Sequence, residues 1–425
     1  MLQPRVAQAT SSTSSVRRAP CVRRGCASSR RAVAATAAAV VVAEEPVTKT
    51  PGGVLVITYD FLKQGGEELR RVIQEAYGPD GLGIIGVRDI PEYVERFDRL
   101  MPLISSLAAL PEEELLKLED AESSYSFGWS HGKESVEGGL LDTKKGSYYF
   151  NPTTNVPTED PDLIKRFPSY CRPNIWPDAA LPELEPASKS FGELVTRTGS
   201  LIAAECDTLV RQELGGTPAG AAPASLERIV NDGRGVKSRL LHFFPPTEED
   251  IATATRAAAA GGQGEDYSSW CGWHLDHGSL TGITAPYFVD EASGKGVECP
   301  DRSAGLYIRT RNGRITHVDI DQYTLAFQVG ETTHLRSGAR LQATPHSVRA
   351  ACTEASRGVA GNYYVQFMQP FWGEPMEVPE DYQAKAVEEF SGRWQKGDDF
   401  GTFTEKTLGE YYGKDEWCEV VAPNK

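Results

Sequence analysis

The chain has 425 residues, and its 44 lysines and arginines against 59 acids give a net charge of −15 at pH 7. Phosphate-rich partners repel so acidic a protein, which argues against nucleic acid and against anionic membranes. Two of the eight cysteines lie within the first 43 residues, and the other six show no C-x-x-C spacing. This spacing excludes a zinc ribbon and a thioredoxin-like redox motif.

Residues 1–43 contain seven arginines and no acid, and are otherwise rich in Ser, Ala, Thr and Val. This composition predicts an organelle transit peptide. We expect delivery to the chloroplast stroma, with the mitochondrion or the thylakoid lumen as alternatives. Loss of seven arginines would move the net charge from −15 to −22. The apolar run at 32–43 is too short to span a bilayer, so we expect no membrane partner.

The next part, residues 53–180, is predicted to be an N-terminal α/β region packed on the core. Apolar runs at 54–57 and 83–87 predict strands, and the pattern of Glu67–Tyr77 predicts an amphipathic helix between them. A second helix is predicted over 91–110, and PEEELLKLE opens a third. Residues 121–180 are rich in Gly, Ser, Tyr and Pro, which predicts loops.

Residues 181–420 are predicted to hold the core. A stripe of apolar residues predicts one long helix over 181–214. Short strands separated by turn signals follow: SRLLHFF, CGWHLDH, GITAPYF, AGLYIRT, GRITHVD, TLAFQVG, ARLQATP and NYYVQFM. Eight such strands favour a jelly roll. The predicted fold is therefore mainly β with helical elaborations, and a helix, FGTFTEKTLGEYY, ends it.

The stretch WCGWHLDHGSLTGIT, residues 270–284, places His274 and Asp276 two apart on a predicted strand. Side chains at i and i+2 of a strand point to the same face, so both can approach one point. With a distant third ligand, His346 in LQATPHSV, they would form a 2-His-1-carboxylate triad. Such a triad holds Fe(II) and leaves positions open for other ligands.

Three alternatives compete with this interpretation. His274 and Asp276 could simply be a hydrogen-bonded pair at a strand end. His317 and Asp319 have the same spacing, but they follow a turn in a polar strand that we interpret as solvent-exposed. His277 would face the opposite side of the strand from His274, which favours a packing or outer-shell role.

The pattern H-x-D-x-G-x-L-T-x-I-T resembles the ligand strand of the Fe(II)/2-oxoglutarate-dependent oxygenases, specifically the isopenicillin N synthase-like branch of plants and algae. The likeness runs from about residue 53 to about residue 412. It implies a double-stranded β-helix core with Fe(II) held by His274, Asp276 and His346. It also implies 2-oxoglutarate and dioxygen as cosubstrates, and hydroxylation or desaturation of a small organic substrate.

The chain departs from this family where the family binds 2-oxoglutarate. Phe244 replaces a family tyrosine, while Gly361 and Tyr363 stand where an Arg-x-Ser pair is expected. A buried dicarboxylate needs a cationic partner. Arg357, four residues before Gly361, is the favoured replacement.

Arg349 and Arg239 are the other candidates for the missing arginine. The departure also leaves two further functions open. One is an Fe(II) oxygenase of the same fold whose substrate itself chelates the metal, without 2-oxoglutarate. The other is a non-catalytic jelly roll that binds a metal or a ligand. The sequence leaves the substrate and the oligomeric state undetermined.

Overall fold

The structure is a computed structural model, and it describes residues 45–133, 142–215, 225–259 and 270–412. The predicted leader, residues 1–43, lies outside the described residues. The strands are β1 Val47–Lys49, β2 Leu55–Thr58, β3 Ile84–Arg88, β4 Gly128–His131, β5 Lys145–Phe150, β6 Lys237–Phe243, β7 Cys271–His274, β8 Leu280–Thr284, β9 Tyr287–Asp290, β10 Lys295–Val297, β11 Gly305–Arg309, β12 Ile315–His317, β13 Leu325–Val329, β14 His346–Arg349 and β15 Val359–Met368. The helices are α1 Tyr59–Gln64, α2 Glu67–Tyr77, α3 Tyr93–Ala108, α4 Glu112–Lys117, α5 Pro161–Arg166, α6 Pro168–Cys171, α7 Leu184–Glu213, α8 Leu226–Asp232, α9 Glu248–Ala259, α10 Glu331–Arg336, α11 Gln383–Glu389 and α12 Phe400–Tyr412.

Two β-sheets form the core. The larger has the strand order β1-β2-β3-β13-β8-β15-β6-β5-β4, with β9 and β10 attached beside β15. The smaller has the order β12-β11-β14-β7. Strands β2 and β3 from the N-terminal region join the larger sheet through β13. The predicted mainly β, jelly-roll architecture is confirmed.

Helices α3 and α7 cover one face of the larger sheet. Tyr364 of β15 packs against Phe191 of α7 with ring centroids 4.8 Å apart. Two residues earlier, the Asn362 amide donates to the Met101 carbonyl of α3. Alternate residues of a strand share a face, so the odd-numbered side chains of β15 point the other way, towards the smaller sheet. The predicted long helix is confirmed as α7, within three residues at either end.

Apolar clusters join the two sheets at two places. One includes Ile84 and Ala326 from the larger sheet and Ile308 from the smaller. The other, which we name the Trp270 cluster, contains Phe243, Trp270, Phe288, Ala304, Ala351, Val359 and Tyr363. The polar residues of the site described below come from strands of both sheets that border these clusters.

Two sequence predictions about secondary structure are wrong. ARLQATP is irregular, and the strand begins only at His346. Residues 121–180, predicted as loops, contain β4 and β5, which extend the larger sheet beyond β6. Strand β5 pairs with β6, a partner about 90 residues away that no local pattern reveals, and β4 pairs with β5. In the described part of the chain, no helix has the length and apolar character needed to cross a bilayer.

Candidate metal centre

Three side chains predicted as metal ligands come together between the two sheets. His274 ends β7 and His346 begins β14, and the two residues face each other in the antiparallel pairing. Their ring centroids are 4.2 Å apart. Asp276 Oδ1 lies 3.8 Å from His274 Nε2 and 3.7 Å from His346 Nε2. One ligand atom from each residue lies within 4.8 Å of the others, a spacing suited to a single ion.

Asp276 is held by a loop rather than by a strand. Asp276 was predicted to share a strand with His274, but β7 ends at His274. The Thr281 hydroxyl donates to Asp276 Oδ2 at 2.6 Å. The backbone N–H of Glu331, at the start of α10, donates to the Asp276 carbonyl at 2.7 Å. A Cβ at Gly330 would lie 2.2 Å from the Gly278 carbonyl oxygen, so only glycine permits this close approach.

Charge and hydrogen bonding keep the Asp276 carboxyl ionised. Burial acts to raise its pKa, but His346, His274 and the Thr281 hydroxyl outweigh this effect and lower the pKa below its ordinary value. A carboxylate is the form that binds a metal ion. The site therefore offers one negative charge beside two imidazoles.

His346 is oriented by Gln328 of β13. The Gln328 side-chain amide lies 2.8 Å from His346 Nδ1, and the Thr344 carbonyl lies 3.3 Å from the same nitrogen. Burial and the neighbouring His274 lower the pKa of His346 to about 4, so the ring is neutral at physiological pH. Metal binding through Nε2 requires the proton on Nδ1, which the Thr344 carbonyl or the oxygen of a turned Gln328 amide would then accept.

His274 is fixed by its own strand. Its Nδ1 lies 2.7 Å from the Gly272 carbonyl, which leaves Nε2 directed towards Asp276. Cys271 Sγ lies 3.8 Å from the same Nδ1. Burial acts to raise the pKa of the Cys271 thiol, but His274 and the charges of Lys145 and Arg239 lower it. Both cations thus lie within electrostatic reach of the site.

The donor set fits a mononuclear iron site. Two imidazole nitrogens and one carboxylate oxygen that approach one ion position from the same side form the 2-His-1-carboxylate arrangement of non-haem Fe(II) oxygenases. Among residues 45–133, 142–215, 225–259 and 270–412, no other group of three such side chains has this spacing. Gln328 and α10 were not predicted to belong to the site, because no motif marks them. Thr281 belongs to the motif H-x-D-x-G-x-L-T, but its hydrogen bond to Asp276 was not predicted.

The structure does not bring Arg357 to this site, so its predicted role as the carboxylate-binding arginine is corrected. Its side chain is 44% exposed and forms ion pairs with Glu354 and Glu248. A turn at Glu354–Ser356 keeps this arginine at the surface before β15 begins. These two carboxylates already neutralise its guanidinium.

Two other histidines lie apart from the triad. His317 Nε2 lies 3.0 Å from the Ala304 carbonyl, and its ring stacks on Tyr307. His277 Nε2 lies 3.1 Å from the Tyr170 hydroxyl, and its ring stacks on Phe400. Burial lowers the pKa of His277 to about 4. Both rings therefore have packing roles in the described structure.

The place of the family's Arg-x-Ser pair is filled by apolar side chains. Trp270 stacks on Phe243 with centroids 4.4 Å apart and planes 13° apart. A Cβ at Gly361 would lie only 2.9 Å from the Trp270 ring. The Tyr363 hydroxyl is buried and has no hydrogen-bond partner among the described residues. This part of β15 therefore has no cationic group that could bind a carboxylate.

Comparisons with family models and with curated protein sequences find no match. Solved structures do match. A full-length Neurospora crassa protein crystallised in complex with alpha-KG superposes with a TM-score of 0.59 at 16% identity, over 89% of this chain and 99% of that one. A Caulobacter crescentus protein assigned to the 2OG-Fe(II) oxygenase family gives a TM-score of 0.57 at 15% identity, over 84% of this chain and 99% of that one. This is the fold of the 2OG-Fe(II) oxygenases.

A plant structure shares this fold. The dioxygenase for auxin oxidation in rice gives a TM-score of 0.51 at 15% identity, over 84% of this chain and 95% of that one. The match is therefore to the fold of the wider oxygenase superfamily, along most of the chain.

Proposed function

We propose that this protein is a non-haem Fe(II) oxygenase that uses 2-oxoglutarate and dioxygen to hydroxylate or desaturate a small organic molecule. The observation that carries the proposal is the convergence of His274, Asp276 and His346 on one point between the sheets. The fold, shared with the Neurospora crassa protein crystallised with alpha-KG, supports the same chemistry. The motif H-x-D-x-G-x-L-T supports a place in the isopenicillin N synthase-like branch.

The triad would hold the metal, and bound Fe(II) would supply the activation of dioxygen and the oxidation of an unactivated C–H bond. The residues around it have positioning tasks. Thr281 and α10 hold the Asp276 carboxylate, and Gln328 holds the His346 ring. Pre-organised ligands of this kind keep the coordination geometry from relaxing when the metal is exchanged or the substrate enters.

A second candidate function is an Fe(II) oxygenase of the same fold in which the substrate chelates the metal and 2-oxoglutarate has no part. The filling of the Arg-x-Ser position by Trp270 and Phe243 favours this alternative. The two candidates differ in one measurable respect. Only the first consumes 2-oxoglutarate and releases succinate.

The experiment uses the purified protein loaded anaerobically with Fe(II). Iron content is measured for the wild type, His346→Ala and His317→Ala, the last being the matched control with the same motif spacing to an aspartate. We expect iron in the wild type and in the control, and strongly reduced iron in His346→Ala. Anaerobic addition of 2-oxoglutarate should then produce a visible chelate band, and oxygen should yield succinate. Retention of iron by His346→Ala would refute the triad.

We also infer that residues 1–43 direct the protein to the chloroplast stroma. The support is compositional, namely seven arginines and no acid in this segment. The mitochondrion and the thylakoid lumen are the other destinations.

A further inference from the structure

The carboxylate-binding position on β15 is closed, yet a dicarboxylate bound between the sheets would need a cation. Gly361 has no side chain, and Trp270 covers it while stacking on Phe243. The Tyr363 side chain is 2% exposed and belongs to the same apolar cluster. A carboxylate placed there could accept from the Tyr363 hydroxyl but would have no cation to balance its buried charge.

Strand β6, the neighbour of β15, carries a cation on the face that points between the sheets. Arg239 of β6 is the cross-strand partner of Val365 on β15, and Val365 is in turn the partner of Ile283 on β8. Residues paired in this way share one face of the sheet. The opposite face, represented by Tyr364, packs against α7. Arg239 therefore extends from the same face as Thr281, which holds Asp276.

The guanidinium of Arg239 is oriented by the next strand. Its Nε and Nη2 donate to the Ser147 hydroxyl of β5 at 3.1 and 2.7 Å, and it lies over the Tyr149 ring at 4.9 Å. Two other cations lie on this face: Lys145 forms a buried ion pair with Asp142, and Lys237 donates to the Ser126 and Ser169 carbonyls. A planar guanidinium held by a hydroxyl and a ring is suited to binding a carboxylate.

The distance from the metal centre is also suitable. Strands in a sheet are spaced by about 4.8 Å, so β6 lies about 10 Å from β8 across β15. An arginine side chain and an extended five-carbon dicarboxylate together cover this gap. The cation therefore lies beside the site and not on a remote surface.

We propose that Arg239 of β6 binds the distal carboxylate of 2-oxoglutarate, in place of an arginine on β15. This inference rests on the proposed function. It makes Arg239 a binding residue for the cosubstrate and moves the carboxylate site two strands away from β8. The opposite end of the cosubstrate would remain at the metal.

The test measures binding rather than turnover. The full-length protein is loaded with Fe(II) without oxygen and titrated with 2-oxoglutarate, and in parallel with 2-oxopentanoate, which has the same chain length but no distal carboxylate. Wild type, Arg239→Gln, Arg239→Lys and the surface control Arg357→Gln are compared, with circular dichroism and iron content as checks of folding. Arg239→Lys provides the test if the glutamine variant does not fold, because lysine keeps the positive charge but lacks the paired N–H donors of a guanidinium.

We expect the wild type and Arg357→Gln to bind 2-oxoglutarate at least about tenfold more tightly than 2-oxopentanoate. Arg239→Gln should lose this preference, Arg239→Lys should lose part of it, and affinity for 2-oxopentanoate should be unchanged. A preference retained in both Arg239 variants overturns this inference alone. A wild type that holds iron but binds neither acid overturns it together with the 2-oxoglutarate part of the proposed function.

Discussion

Gly361 stands where the family that this chain resembles has an arginine, and replacing Gly361 tests whether the Trp270 ring occupies the place of that arginine. A Cβ at residue 361 would lie 2.9 Å from Trp270 Cη2 and 3.3 Å from Cζ3. Carbon atoms in contact prefer about 3.5–4.0 Å, so the ring would have to move by roughly 0.6–1 Å. Phe243, stacked on the ring at 4.4 Å, opposes this movement.

We expect Gly361→Ala to lower the free energy of unfolding by about 1–3 kcal/mol, the usual cost of overfilling a packed core. Trp270→Leu should cost about 2–5 kcal/mol because it leaves a cavity. In the double variant the new methyl group enters that cavity, so the combined loss should be smaller than the sum by about 1–2 kcal/mol.

Urea unfolding followed by circular dichroism measures all four proteins, and equal slopes confirm that the midpoints can be compared. Strictly additive losses, or a Gly361→Ala variant as stable as the wild type, would show that Trp270 does not limit the space at Gly361. The apolar filling would then no longer explain why the arginine is absent from β15.

Three further outcomes are expected. Gln328→Leu should weaken Fe(II) binding about 10–100-fold, because the His346 ring would lose the side chain that orients it. Gln342 is a buried glutamine outside the site, so Gln342→Leu should leave Fe(II) binding unchanged. Equal Fe(II) dissociation constants for the two variants would contradict the positioning role of Gln328. Burial lowers the pKa of Lys237 to about 7, so between pH 7 and 9 the native state loses a proton that the unfolded state keeps. The Lys237 side chain should therefore raise the free energy of unfolding by about 2 kcal/mol between pH 7 and 9, and Lys237→Met should lack this contribution. If the urea midpoints of the wild type and of Lys237→Met change equally with pH, the assigned pKa of Lys237 is wrong. Residues 1–43 fused to a fluorescent reporter should carry it into the chloroplast, and a cytosolic reporter would reject the targeting proposal.

Local patterns in the sequence determined much of this fold. The apolar stripe over 181–214 predicted α7 because a helix of this length must bury one face. Short runs between turn signals predicted strands such as β6 and β15, and the motif around His274 and Asp276 indicated a metal centre, although Asp276 lies in the loop after β7. These features depend on residues close together in the chain, whose periodicity is set by the backbone geometry of a helix or a strand.

The tertiary structure alone decided which distant residues meet. Gln328 lies beside His346 because β13 and β14 belong to different sheets that face each other. Trp270 covers Gly361 although 91 positions separate them, and Arg357 remains at the surface although it is only four residues from Gly361. Strand register and sheet packing are set by the sum of many long-range contacts, so the direction of a single arginine cannot be obtained from its position in the chain.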